Sequence, residues 1–192
     1  LSSGADRRRF AREAEILGRL HHPGVAPIHG AGVADIGGAA APYFIMAFVR
    51  GRPLDRYLAE RRPTLEERVE LLARVGDAVH HAHQQGVVHR DLKPGNILVE
   101  DEPDGPGRPR VLDFGIARLI ESDAPANVTR TGHVIGTIPY MSPEQIRGTP
   151  GHVDVRTDIH ALGVILYEAL TGHHPFADIA RRSLPEAARI IC

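Results

Sequence analysis

The run His89-Arg90-Asp91-Leu92-Lys93-Pro94-Gly95-Asn96 constrains this chain more than any other stretch. Within eight residues it offers a carboxylate that can accept a hydroxyl proton, an ammonium that can sit on a phosphate, and an amide oxygen that can reach a metal ion. These are the parts that phosphoryl transfer requires, gathered on one short loop. The apolar fragments Val87-Val88, Ile97-Leu98-Val99 and Val111-Leu112 are too short for helices and are expected as small strands bracketing that loop.

The surrounding pattern places the loop among helices. Phe10, Ala14, Leu17 and Leu20 recur at spacings of three and four with charge between them, which predicts an amphipathic helix over residues 6–20. Val25 to Val33 and Pro42 to Val49 suit an antiparallel strand pair, joined by a loop from Ala34 to Ala41. A turn at Gly51-Arg52-Pro53 is expected to open a short helix through Leu58. Thr64 followed by Glu67 forms a capping box for a long helix reaching about Gln85, with Val69, Leu72, Val75 and Val79 facing inward. Asp101 to Pro109 lacks apolar residues other than its prolines and predicts a surface hairpin tip. Residues 116–140 show little periodicity and predict a long loop. Asp158 to Leu170, with Ile159, Leu162, Ile165, Leu166 and Leu170, predicts a buried helix that Gly172 stops, and Leu184 to Ile191 begins another.

The loop resembles the H-R-D-L-x-x-x-N catalytic loop of protein kinases. Asp113-Phe114-Gly115, 22 residues beyond Asp91, and Ser142-Pro143-Glu144 fall where that family carries D-F-G and A-P-E. Lys93, two positions after Asp91, resembles the serine/threonine subgroup. The chain is thereby identified as similar to bacterial eukaryotic-like (Hanks-type) serine/threonine protein kinases. That resemblance implies an α+β, bilobal fold: residues 1–49 as a partial small β-rich lobe with helix C and the hinge, and residues 50–192 as an incomplete helical large lobe. It implies ATP and Mg2+ as cofactors, and protein substrates bearing serine or threonine.

Residue by residue, the resemblance makes Asp91 the base, Lys93 the residue that steadies the transferred phosphate, and Asn96 and Asp113 the magnesium ligands. Thr137, in Gly136-Thr137-Ile138-Pro139-Tyr140, would hydrogen-bond Asp91 and Lys93 on the platform that receives the substrate. Glu13 would partner the ATP-clamping lysine. Met46 is the gatekeeper, Ala47 and Val49 meet adenine through their backbone, and Leu98 joins the same cofactor-binding set. Thr129 and Thr131 resemble an autophosphorylated pair whose phosphates would meet Arg90, and a dimer for that autophosphorylation is the implied partner arrangement. Leu17, Ile28, His89 and Phe114 match a stack of four side chains, which makes His89 a packing residue. Asp158 matches a buried aspartate that holds the backbone of the catalytic loop.

With 23 basic and 24 acidic side chains, no large net field points to nucleic acid or a membrane surface. No run approaches the roughly 20 apolar residues of a spanning helix, and the one cysteine, Cys192, fits a reducing compartment. The kinase domain is therefore expected in the cytoplasm, with any membrane anchor outside this region. Twelve histidines fall at unrelated turns and helix ends and are not expected to bind metal. No G-x-G-x-x-G occurs, and Lys93 is the only lysine. The chain also starts without methionine and stops in a helix, so both ends are expected to be cuts. A pseudokinase or interaction module is the alternative if the short chain is the true product. Small-molecule kinases share an H-x-D-x-x-x-x-N loop, but typically lack the peptide-binding segment present here.

Overall fold

The computed structural model describes residue 10 and residues 14–103, 105–114, 138–148, 153–176, 179, 182 and 184–192. Glu13, Gly115, Thr129, Thr131 and Thr137 lie outside the described residues, as do residues 116–137 of the expected long loop.

Helix α1 (residues 14–18, with Phe10 also helical) buries Phe10, Leu17 and Leu20, and the Phe10 ring meets Phe44 at 5.3 Å. Strands β1 (Ile28–Ile36) and β2 (Ala39–Met46) form an antiparallel hairpin. The expected loop over residues 34–41 is instead mostly strand, since Ala34, Asp35 and Ile36 pair with Ala41, Ala40 and Ala39. The turn needs only Gly37 and Gly38, whose positive φ values of 64° and 85° are those of a tight hairpin turn. Alanine has weak strand preference, so its run concealed the pairing.

A second sheet has the order β3-β4-β5, from Arg52–Pro53, Ile97–Glu100 and Arg108–Val111. The turn expected at Gly51-Arg52-Pro53 is thus partly an edge strand, with Arg52 opposite Val99 and Pro53 opposite Leu98. Proline is tolerated on such an edge. A Cβ on Gly51 would lie 2.9 Å from the Val99 carbonyl oxygen, so glycine permits the close approach. Helix α2 (Leu54–Arg61) then runs past the expected end at Leu58. Val87-Val88 forms no strand: the Val87 amide donates to the Ala82 carbonyl at 2.9 Å, finishing the preceding helix instead of pairing in a sheet.

Helix α3 (Leu65–Gln84) begins with the capping box that Thr64 and Glu67 foreshadow: Glu67 N donates to Thr64 Oγ1 at 3.2 Å, and Thr64 N donates to Glu67 Oε2 at 2.7 Å. Its buried stripe is Leu71, Leu72, Val75, Ala78, Val79 and Ala82. Val69, expected inside, is 47% exposed because it falls about 120° round the helix from that stripe. After α4 (Pro143–Arg147), helix α5 (Val155–Thr171) packs on α3 and ends at Gly172 in the left-handed conformation. Only the stripe Thr157, Asp158, Ala161, Val164, Ile165 and Ala169 is buried. Ile159 and Leu166, expected inside, are exposed, since one face of the helix meets α3 and the described chain leaves the other in solvent.

One hydrophobic cluster runs from Phe10 and Leu17 through α3 and the second sheet to Ile165 and Ala169. A smaller one joins Ile138 and Ile179 to Ala187 of α6 (Leu184–Ile191). The segment after α1 is stitched to β5 through Ala26 N to Val111 O at 3.0 Å and Val111 N to Gly24 O at 2.8 Å. Among the described residues, no helix is long and apolar enough to cross a membrane. The mixture of antiparallel strands with a helical core is the α+β, partly bilobal arrangement expected from the sequence.

Candidate active site

The loop after α3 carries no regular backbone ladder, so side chains must hold it. Asp158, fully buried in the first turn of α5, accepts from two consecutive loop amides: His89 N to Oδ2 and Arg90 N to Oδ1, both at 2.8 Å. Its Oδ2 also accepts from His83 Nε2 at 2.7 Å, reaching across from the last turn of α3. A buried carboxylate is tolerated because three donors replace its lost water. They hold Arg90 at φ 70°, the left-handed region that a side chain disfavours.

His89 is fully buried with its ring 4.8 Å from that of Phe114. Burial pushes its pKa below the usual 6.5, outweighing the attraction of Asp158, the Leu112 carbonyl, Asp91 and Asp113. The hydrogen bonds fix a single neutral tautomer. Nε2 donates to the Leu112 carbonyl at 2.8 Å, so Nδ1 is left to accept from the Asp91 amide at 3.3 Å. Both nitrogens are thereby committed, and His89 packs and orients the loop. Leu17 is buried and Ile28 packs on the same core.

Asp91, Lys93 and Asn96 converge. Lys93 Nζ donates to Asp91 Oδ2 at 2.9 Å. Asn96, at the end of the short Pro94–Asn96 turn, donates Nδ2 to the Asp91 carbonyl at 2.7 Å and to Oδ2 at 3.2 Å. Asp91 Oδ1 is buried with no hydrogen-bond partner among the described residues. The two carboxylate oxygens are thus unlike, one paired with an ammonium and an amide and the other bare among the described residues. Leu112 N donates to the Asn96 carbonyl at 2.9 Å, which brings Asp113 beside Asn96. Asp113 itself sits at φ 57°. With the Asn96 amide nitrogen spent on Asp91, its Oδ1 and the Asp113 carboxylate are hard oxygen donors of the kind that Mg2+ takes.

The residues expected to meet adenine begin where the first sheet ends. Met46 ends β2, and Ala47 N donates to the Pro27 carbonyl at 2.9 Å, so only the Ala47 carbonyl could serve a ligand. Val49 follows in the connection to β3, where Leu98 sits half-buried on β4 opposite Pro53. The Gly24–Ala26 segment bonded to β5 couples this sheet to the loop.

Beyond the loop, Tyr140 ends the Ile138–Tyr140 turn and donates its hydroxyl to Glu168 Oε2 at 2.8 Å, its pKa raised first by burial and then by that carboxylate. Glu144 accepts from Thr157 Oγ1 at 2.8 Å. Sequence reasoning singled out neither His83, one of twelve scattered histidines, nor Gln145, whose Nε2 donates to the Arg90 carbonyl at 2.6 Å. Their partners stand 75 and 55 positions away, and no local pattern marks such pairs.

A family model described as protein kinase domain matches residues 2–190. Similar curated relatives include the serine/threonine-protein kinase pkn3 of Myxococcus xanthus, 45% identical over 88% of this chain and 30% of its own length. The DNA damage-responsive serine/threonine-protein kinase RqkA of Deinococcus radiodurans is 40% identical over 94% of this chain and 26% of its own. Serine/threonine-protein kinase PknB of Mycobacterium tuberculosis is 40% identical over 88% and 26% respectively. The chain thus spans about a quarter to a third of the length of these relatives.

Proposed function

This chain belongs to the protein kinase family, as a bacterial Hanks-type member, and we propose that its protein transfers the terminal phosphoryl group of ATP to serine or threonine hydroxyls of protein substrates. The observation that carries this reading is the divided Asp91 carboxylate: Oδ2 is held by Lys93 and Asn96, while Oδ1 is buried and bare among the described residues. Phosphoryl transfer proceeds through a loose transition state, so positioning and charge stabilisation dominate over covalent chemistry.

In this reading Asp91 Oδ1 orients the substrate hydroxyl and takes its proton, and the Lys93 ammonium steadies the moving phosphoryl group. Asn96 Oδ1 and Asp113 hold magnesium, which when bound neutralises charge on the nucleotide phosphates. The Ala47 carbonyl and Val49 amide meet the adenine edge, with Met46 and Leu98 against its faces. Glu13 belongs to the ATP clamp, and Thr137 to the hydrogen bonding of Asp91 and Lys93. Thr129 and Thr131 are the regulatory phosphorylation sites answered by Arg90, through autophosphorylation in a dimer. Residues 1–49 act as part of the small lobe and hinge, and residues 50–192 as part of the large lobe. In this reading the domain works in the cytoplasm, with any membrane anchor in another part of the protein.

The test is transfer from ATP to serine/threonine peptides by the full-length gene product, with Asp91→Asn alongside. Losing the base should lower kcat by about 10² to 10⁴. An Asp91→Asn enzyme as fast as wild type, or phosphate delivered only to tyrosine or small molecules, would refute the reading.

A further inference from the structure

Resting on the kinase reading above, we infer that Gln145 is a positioning residue for Asp91: its side-chain amide locks the peptide plane between Arg90 and Asp91. That plane has two polar ends. The Asp91 N–H donates to His89 Nδ1 at 3.3 Å, and the Arg90 carbonyl accepts from Gln145 Nε2 at 2.6 Å. Arg90 N is meanwhile held by Asp158. Arg90 is a left-handed, non-glycine residue at φ 70°, a conformation that persists only where its surroundings impose it. Gln145 supplies the restraint on the carbonyl side. Rotation of this plane would swing the bare Asp91 Oδ1 away from a substrate hydroxyl and strain its bonds to Lys93 and Asn96.

The other end of the Gln145 amide determines which way round it sits. Oε1 accepts from Ser142 N at 3.0 Å and from Ser142 Oγ at 3.3 Å, the reciprocal cap of α4. Turning the amide over would set its NH2 against the Ser142 N–H and its oxygen against the Arg90 carbonyl, so both ends enforce one orientation. Ser142 is itself fully buried and 3.3 Å from Thr157 Oγ1, which donates to Glu144. A chain of hydrogen bonds therefore runs from the segment that follows Tyr140 to the peptide preceding the base. A helix cap alone does not require glutamine, because glutamate serves equally at that position. The donor to Arg90 does require it.

This distinction supplies the test. Gln145→Glu keeps the capping oxygen but places a carboxylate oxygen against the Arg90 carbonyl. In the full-length gene product, Gln145→Glu should lower kcat about tenfold or more, counted per folded molecule, with KM for ATP within about twofold. Its Tm should stay above that of Gln145→Leu, which loses cap and clamp together. Wild-type kcat in folded Gln145→Glu would overturn the inference and leave the kinase reading standing. So would a wild-type Tm with unchanged activity per folded molecule in Gln145→Glu beside a lowered Tm in Gln145→Leu, since the role would then be capping alone. A wild-type protein that phosphorylates no protein substrate would retire both.

Discussion

Replacing Asp158 by asparagine changes one oxygen to NH2 at constant shape, and both orientations of the new amide fail. With the nitrogen at the Oδ1 position, it faces the Arg90 N–H at 2.8 Å, donor against donor. With the nitrogen at the Oδ2 position, it faces the His89 N–H at 2.8 Å; His83, at 2.7 Å, can switch tautomer and accept, but the His89 amide cannot. Either way one buried backbone N–H loses its acceptor, at about 1–3 kcal/mol. The remaining bonds lose the charge that strengthens them, about 1 kcal/mol each by the difference between charged and neutral hydrogen bonds. The total is about 3–5 kcal/mol, a large share of the roughly 5–15 kcal/mol that holds a domain together. The chain has no tryptophan, so its urea unfolding is best followed by far-ultraviolet circular dichroism. At a slope of about 2 kcal/mol per molar urea, the midpoint should fall by about 2 M. A loss below about 1 kcal/mol with unchanged slope would refute the reasoning, because it would mean the loop amides find other acceptors.

Stability should also fall on acidification below pH 6.5. His89 is held neutral by burial, its pKa below the usual 6.5, so between the folded and unfolded values only the unfolded chain binds the proton. This contribution is complete above the unfolded pKa and is lost as pH falls towards the folded one, at up to about 1.4 kcal/mol per pH unit; His160, depressed by burial too, acts in the same sense. Tm measured from pH 8 to 5 should decline less steeply in His89→Leu, and an unchanged slope would contradict the assignment. Thr64→Ala removes one half of the capping box of α3 and should cost about 1 kcal/mol in the same urea assay. No change there would mean that the helix end is held by its packing alone.

The parts of the fold that were legible in the sequence are those whose physics is local. The capping box at Thr64 and Glu67 spans four residues, and the stop at Gly172 depends on one residue's freedom to adopt positive φ. Asp91, Lys93 and Asn96 are close in the chain, so a short turn suffices to bring their polar atoms together. Periodicity misled where composition and burial part company. Val69 and Ile159 carry apolar side chains yet face solvent, because a helix buries only the stripe that meets a neighbour. The alanines around Gly37 and Gly38 read as loop, although their backbone pairs through to the turn.

The sequence by itself determined the family, the chemical groups of the catalytic loop and the helix ends, since each depends on residue identities within a few positions. The resemblance already implied that Asp158 holds the loop; tertiary structure decided which donors it gathers and what else holds the loop. Asp158 gathers His83, His89 and Arg90, and Gln145 reaches the Arg90 carbonyl, through contacts separated by 55 to 75 positions. Such contacts have no local signature, because any buried donor of the right reach could satisfy the same acceptor. Which one does so is settled only when α3, α4 and α5 close around the loop and exclude the water that would otherwise take its place.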